Sequence, residues 1–216
     1  MSHEDSVSAR LKGLRALLSE SALTLSAEQA LTLWRELVLG ALTPGERAVA
    51  ARWFRDAVVA PTRLQVLTDE VVEELFSACF VAPERAEPPL PAVDVARWTL
   101  ADYACFESMF ARVNIGDGAL VQVQRQLARD ALDPKAVTLA KPPTELRGLE
   151  VLWACALDAE TRDVVSSAIE FLNLVHHDLS AGMQAQEVAV RRDYIARCMD
   201  ACERALKELQ GMGGGE

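Results

Sequence analysis

The 216-residue chain contains no apolar run approaching the roughly 18–20 residues that cross a bilayer, so no transmembrane span is expected. Blocks of basic residues are also missing. The nearest candidate, Arg191-Arg192, stands beside Glu187 and Asp193, and the net charge is −10 with a pI near 4.9. A surface of that sign repels phosphates, which argues against nucleic acid and against an anionic membrane as partners. The first residues, MSHEDSVSAR, are polar and acidic before any apolar stripe begins and do not have the form of a signal peptide. Cysteines are few and odd in number: Cys79, Cys105, Cys155, Cys198 and Cys202 are widely spaced and sit mostly on apolar faces. That usage fits buried thiols in a reducing compartment, so a cytoplasmic or nuclear location is expected.

What the chain does have is apolar content at helical spacing. Half of its residues are apolar and a quarter charged, the balance of a folded domain with one good core or two small ones. Leu149, Leu152, Trp153, Ala156 and Leu157 form one helical stripe, broken by the polar turn Asp158-Ala159-Glu160-Thr161. Val165, Ala168, Leu172, Val175 and Leu179 then rebuild a stripe in steps of three and four. A looser copy of this hairpin lies upstream. Leu33, Trp34, Leu37, Val38 and Ala41 precede the turn Leu42 to Arg47, and Val49, Ala50, Trp53, Ala57 and Val58 follow it. Hairpins so apolar need neighbours stacked on them. The expected fold is therefore all-α: armadillo/HEAT-like stacked helical hairpins forming an α-α superhelix.

Boundary residues divide the chain further. Residues 1–25 are expected to hold a short helix striped by Val7, Leu11, Leu14 and Leu18. Residues 26–81 form a first repeat unit, with Ser26 and Gln29 as a capping box, Thr43 as a cap before Pro44, and Thr68 as the cap of a helix reaching Val81. Residues 82–98, with Pro83, Pro88, Pro89 and Pro91, cannot form a regular helix and make a linker or surface-hugging loop. Residues 99–209 form a second unit, opened by Thr99 and Asp102 and striped by Leu100, Tyr103, Phe106, Phe110 and Val113 to a stop at Asn114. Within it, 115–144 is irregular: Ala119 to Val123 reads as extended and Gln124 to Ala131 as a helical turn. Glu145 opens the second hairpin. A final helix from about Gln186 to Leu209 is striped by Ile195, Cys198, Met199, Cys202, Leu206 and Leu209, and residues 210–216 read as a flexible Gly-rich tail.

Laid out in order, ADYACFESMFARVN, RGLEVLWACALDAETRDVVSSAIEFLNLVHHDLS and RRDYIARCMDACERAL resemble the armadillo-type region of the very large ubiquitin-specific proteases, the fat-facets-like ubiquitin carboxyl-terminal hydrolases. The matching elements are Cys105-Phe106 with Phe110, Val113-Asn114, Gly148-Leu149, Leu152-Trp153, Ala168-Ile169 with Leu172, and Tyr194-Ile195 with Cys198. LWRELVLGALTPGERAVAARWFRDAV resembles a preceding unit of that region, so the likeness runs from about Leu31 to Leu206. The resemblance implies a platform for substrates and partners, outside a peptidase domain. The peptidase's cysteine and histidine boxes have no counterpart: SACF, YACF and WACA place Cys79, Cys105 and Cys155 in apolar helices. No ubiquitin cleavage by this polypeptide is expected.

Other chemistry is sparse. Catalytic residues, metal ligands and cofactors are each expected to be none, with no small-molecule substrate. In His176-His177-Asp178 adjacent helical side chains point about 100° apart, and the imidazoles suit a helix C-terminus. Cys198 and Cys202 share a helix face without the second ligand pair of a structural zinc site. Gly116-Asp117-Gly118 lacks the acidic spacing of a calcium loop. The competing reading is a cysteine-dependent hydrolase or transferase built from Cys155 with His176 or His177, which needs a thiolate-favouring setting. Trp34, Trp53 and Trp153 lie on apolar stripes and are expected in the core, whereas Trp98, between the prolines and a cap, is the candidate exposed partner-binding residue. The expected function is a non-catalytic scaffold for protein partners, ubiquitin-system substrates among them.

Overall fold

The computed structural model describes residues 3–61, 64–123 and 132–212. Among them are eight α-helices in chain order: α1 (His3–Glu20), α2 (Ala27–Trp34), α3 (Pro44–Val58), α4 (Asp69–Phe76), α5 (Leu100–Gly116), α6 (Leu149–Leu157), α7 (Arg162–His177) and α8 (Glu187–Met212). One small antiparallel hairpin, β1 (Leu120–Gln122) with β2 (Val137–Leu139), pairs Leu120 with Leu139 and Gln122 with Val137. The fold is all-α: α5 packs between α3 of the α2–α3 hairpin and α7 of the α6–α7 hairpin, with α1 against α3 and α8 against α7.

Helix starts follow from the residues before them. The Gln29 amide donates to Ser26 Oγ at 3.2 Å while the Ser26 amide donates to Gln29 Oε1 at 3.0 Å. Thr43 accepts from the Glu46 amide at 3.2 Å with Pro44 at the first helical position, and Thr68 accepts from Val71 at 3.4 Å. Thr99 and Asp102 complete a second capping box on α5. Helices α2 and α4 end alike. Each widens into a π-helical turn, Arg35–Leu39 and Ser77–Val81, closed by Gly40 and Ala82 amides donating to the Arg35 and Ser77 carbonyls. Such turns project side chains off the helical stripe.

Helix α5 is the central post. The expected single stripe is buried at Tyr103, Phe106, Phe110 and Val113, but Leu100 is exposed, and Cys105, Glu107, Met109 and Asn114 are buried on other sides. The cause is that α3, α4, α7 and β1 all pack on it, leaving no solvent face along most of its length. An aromatic chain threads this core: Phe54 against Trp34 at 5.2 Å, Phe80 against Phe106 at 5.2 Å, and Phe110 against Phe171 at 5.7 Å. Trp34, Trp53 and Trp153 are buried, and the Trp53 indole donates to the Leu11 carbonyl at 2.9 Å, tying α1 to α3.

The α5–α6 junction depends on two residues. Buried Asn114 donates to the carbonyls of Phe110 (2.9 Å) and Arg147 (3.1 Å) and accepts from the Arg147 amide at 2.9 Å. It thus anchors the residue ahead of Gly148, which has φ +77° and lies so close to Phe76 that an added Cβ would sit 2.6 Å from the ring. Only glycine meets both demands.

Several expectations are corrected. The N-terminal helix is not short; α1 has 18 residues. In the second hairpin the interior positions are Val164, Phe171 and His176 beside Ala168, Leu172 and Val175, while Val165 is half-buried and Leu157 and Ile169 are exposed. The inward face of α7 is turned because it meets both α5 and β2 as well as α6. The stretch 115–144 is irregular only in part, since Ala119 to Val123 does lead into a strand; Gln124 to Ala131 lies outside the described residues. Helix α8 continues through Gly211 to Met212, past the expected start of the tail, and residues 213–216 lie outside the description. Its stripe is not buried: Ile195, Met199, Cys202 and Leu206 are exposed, and Leu209's side chain lies outside the description. No helix of the described residues is long and apolar enough to cross a membrane.

Candidate functional site

Residues 82–98 are a strap folded back over the first hairpin. Leu90, Val95 and Trp98 are buried beneath it, and the Arg35 guanidinium donates to the Pro88 carbonyl at 2.6 Å. At its far end the Trp98 carbonyl accepts from Thr161 Oγ1 at 2.8 Å, and the Ala96 carbonyl accepts from the Glu160 amide at 3.1 Å. The strap therefore joins the turn of the second hairpin to the first. These attachments overturn the expected exposure of Trp98. Only 8% of it is accessible, because its ring packs 5.7 Å from Phe106 and 6.1 Å from Phe80.

Between strap and hairpin lies an open cavity of about 400 Å³. Both π-helical turns aim into it, contributing Val38 from one and Cys79 and Phe80 from the other. Trp34 and Trp98 supply aromatic walls on either side of Phe80, and Leu90 and Val93 close it from the strap. These walls are joined by Thr43, Arg47, Asp94, Arg97 and Asp102, so the cavity offers charged as well as apolar contacts.

Arg47 ties several of these polar groups together. Its guanidinium donates to Asp102 Oδ2 at 2.8 Å and to the Arg97 carbonyl at 2.6 Å, while its buried Nε finds no acceptor among the described residues. Asp102 also accepts from the Thr99 amide and hydroxyl at 2.8 and 2.7 Å, so one carboxylate both caps α5 and holds the arginine. Asp94 and Arg97 stand at the rim. Leu42, 82% exposed, projects from the lip beside the start of α3.

Sequence reasoning does not find Arg47, Phe80 or Arg97. One signal exists for Arg47: a cation in the first turn of a helix opposes the dipole and calls for an anionic partner elsewhere. For Phe80 there is none, because a π-helical turn leaves no mark in the spacing.

The competing thiol–imidazole arrangement meets unfavourable electrostatics. Burial pushes the Cys155 thiol up to about 12, so it holds its proton at neutral pH. Burial also pushes up the thiols of Cys79 and Cys105. His176 is buried with Nδ1 2.7 Å from the Leu172 carbonyl and its ring stacked 4.5 Å from Tyr194, while His177 is exposed. Desolvation lowers the His176 pKa, favouring the neutral ring. Among the described residues no hydrogen bond joins Cys155 to either histidine. Cys198 is half-buried and Cys202 exposed on α8, and no cluster of three or more His, Cys, Asp or Glu side chains able to hold a metal ion occurs among the described residues.

The family model described as the UBP24/USP9X/USP9Y ARM repeat matches residues 1–114. Ubiquitin carboxyl-terminal hydrolase 9X of Mus musculus is 26% identical over 213 residues, covering 99% of this chain and 7% of that protein. Ubiquitin carboxyl-terminal hydrolase 24 of Homo sapiens is 23% identical over 211 residues, 97% of this chain and 7% of its own length. The probable ubiquitin carboxyl-terminal hydrolase FAF of Drosophila melanogaster is 24% identical over 196 residues, 91% of the chain and 6% of the relative. The chain thus spans only about 7% of the curated relatives it matches. With the family model covering more than half of its residues, the chain belongs to the UBP24/USP9X/USP9Y ARM-repeat family.

Proposed function

We propose that the chain is a non-catalytic helical scaffold of the ubiquitin system that binds protein partners, with the cavity under the strap as its principal contact. The observation that carries this reading is the open aromatic-walled cavity, set between the strap and the first hairpin in a member of an ARM-repeat family. A cavity of about 400 Å³ accommodates one or two apolar side chains of a partner segment. Arg97 and Asp94 at the rim select flanking charge, and the net charge of −10 favours a basic or mixed-charge partner. Trp98 contributes as a wall of the cavity rather than as a protruding anchor. Raised thiol pKa values and the short match to the large hydrolases support a role without cysteine chemistry.

The test is quantitative affinity purification with the wild-type chain and Val93→Arg, which fills the cavity mouth from the strap. Ubiquitin-system proteins retained by the wild type and lost by the variant are expected. Equal retention by both removes the cavity from the account, and recovery of no ubiquitin-system protein removes the setting. A ubiquitin-derived electrophilic probe is expected to leave all five cysteines unlabelled; labelling of Cys155 reinstates the hydrolase reading.

A further inference from the structure

Helix α8 presents an apolar seam that no described part of the chain covers. Val188, Ile195, Met199 and Leu206 are 71, 60, 57 and 56% exposed, and Cys202 is exposed beside them. A different face docks the helix on the body. Val190 is buried there, Tyr194 stacks on His176, and Arg197 lies 4.7 Å over Trp153 while pairing with Glu150. At about 100° per residue the two faces lie roughly 150° apart, so both can be occupied at once.

The spacing of the seam specifies what covers it. Positions 188, 192, 195, 199, 202 and 206 advance by alternating steps of four and three, the heptad pattern of a helix–helix seam, with Arg192 its one charged member. Ala189 and Ala196 flank it on one side, leaving room for close approach. Charge sets the direction. In a parallel pairing of identical helices Arg192 would meet the partner's Arg192. In an antiparallel pairing with Met199 opposite the partner's Ile195, Arg192 lies opposite the partner's Cys202 and beside the partner's Glu203, and two-fold symmetry repeats the contact. Arg192 and Glu203 are both exposed, and neither has a partner among the described residues.

We propose that the α8 seam is an interaction surface for a second copy of this chain, joined through antiparallel pairing of the two α8 helices. The proposal is independent of the cavity under the strap.

Sedimentation of the intact chain from about 5 to about 500 µM tests it. The expected result is a shift from 23.6 kDa toward twice that mass. Ile195→Asp/Met199→Asp should stay monomeric with an unchanged circular-dichroism spectrum. Arg192→Glu should weaken association by about tenfold or more, and Arg192→Glu/Glu203→Arg should restore it. A monomer throughout, or a dimer indifferent to Ile195→Asp/Met199→Asp, overturns the proposal; a double charge reversal that does not restore association overturns the antiparallel register. Register is read separately by oxidising Arg192→Cys/Cys198→Ser. Its new thiol is about 15 Å along the helix from its own Cys202, so only the antiparallel pair gives a disulfide-linked dimer between the two. Cys202–Cys202 dimers from the wild type would signify the parallel arrangement and refute the proposal.

Discussion

Helices α5 and α8 are both written as apolar stripes, and the protein treats them in opposite ways. Helix α5 is enclosed by α3, α4, α7 and β1, and even its charged Asp102 and Glu107 are buried. Helix α8 is longer, yet it rests on the body through Val190, Tyr194 and Arg197 and leaves its apolar seam open. A stripe in a sequence establishes that a helix has something to cover; it does not say whether the cover lies in the same chain. The enclosed helix carries the stability, and the open one is available for association.

The sharpest way to break this contrast is to truncate one side chain in each helix. Phe106→Ala should cost about 3–5 kcal/mol in denaturant unfolding, because a fully buried ring in the aromatic chain leaves a cavity. Met199→Ala should stay within about 0.5 kcal/mol in the monomer. Comparable losses would mean that α8 is as integral as α5.

The junction below α5 gives the next largest effects. Asn114→Ala strips hydrogen bonds from the Arg147 amide and carbonyl and should cost about 2 kcal/mol. Gly148→Ala should cost a similar amount, about 2 kcal/mol, from its positive φ and the approach of Phe76. A neutral outcome for both would show that the α5–α6 connection is not fixed there.

Glu107 adds a pH-dependent term. Burial pushes its carboxyl up to about 7, against the opposing effects of Lys135 and the Tyr103 hydroxyl. A carboxyl raised in the folded state stabilises the fold while protonated, relative to the ionised form. Relative to Glu107→Gln, the wild type should therefore lose stability as pH rises from about 4.5 to about 7, by an amount on the order of 2–3 kcal/mol. A difference between the two that stays flat across that window would contradict the burial of this group. A small change is also expected for Arg197→Ala, which removes the cation over Trp153 and the pairing with Glu150. It should cost under about 1 kcal/mol and register chiefly in Trp153 fluorescence as α8 loosens.

Much of the fold is legible in the amino-acid sequence. Caps are local chemistry, so Ser26, Thr43, Thr68 and Thr99 announce their helices, and the apolar stripes place Trp34, Trp53 and Trp153 correctly in the interior. Trp98 escapes that logic because strap residues 82–98 carry no period. Leu90, Val95 and Trp98 are buried at irregular spacing, and the prolines draw attention to the surface the strap follows. The β1–β2 pairing sets Gln122 opposite Val137 and Leu120 opposite Leu139, separations that helical periodicity cannot reveal. The cavity is hidden for the same kind of reason. Its walls come from two π-helical turns and a strap, and Arg47 finds Asp102 at a separation of 55 residues, which periodicity cannot reveal. The resemblance to the large hydrolases, by contrast, rests on apolar and junction residues. Two of them, Asn114 and Gly148, fix the connection between α5 and α6.

Hydrogen exchange by mass spectrometry on the dilute monomer tests the contrast most directly. Amides of α5 should exchange only through global unfolding, whereas those in the C-terminal half of α8 should exchange faster by at least about 100-fold. Equal protection in the two helices at a concentration where the chain is monomeric would contradict the account.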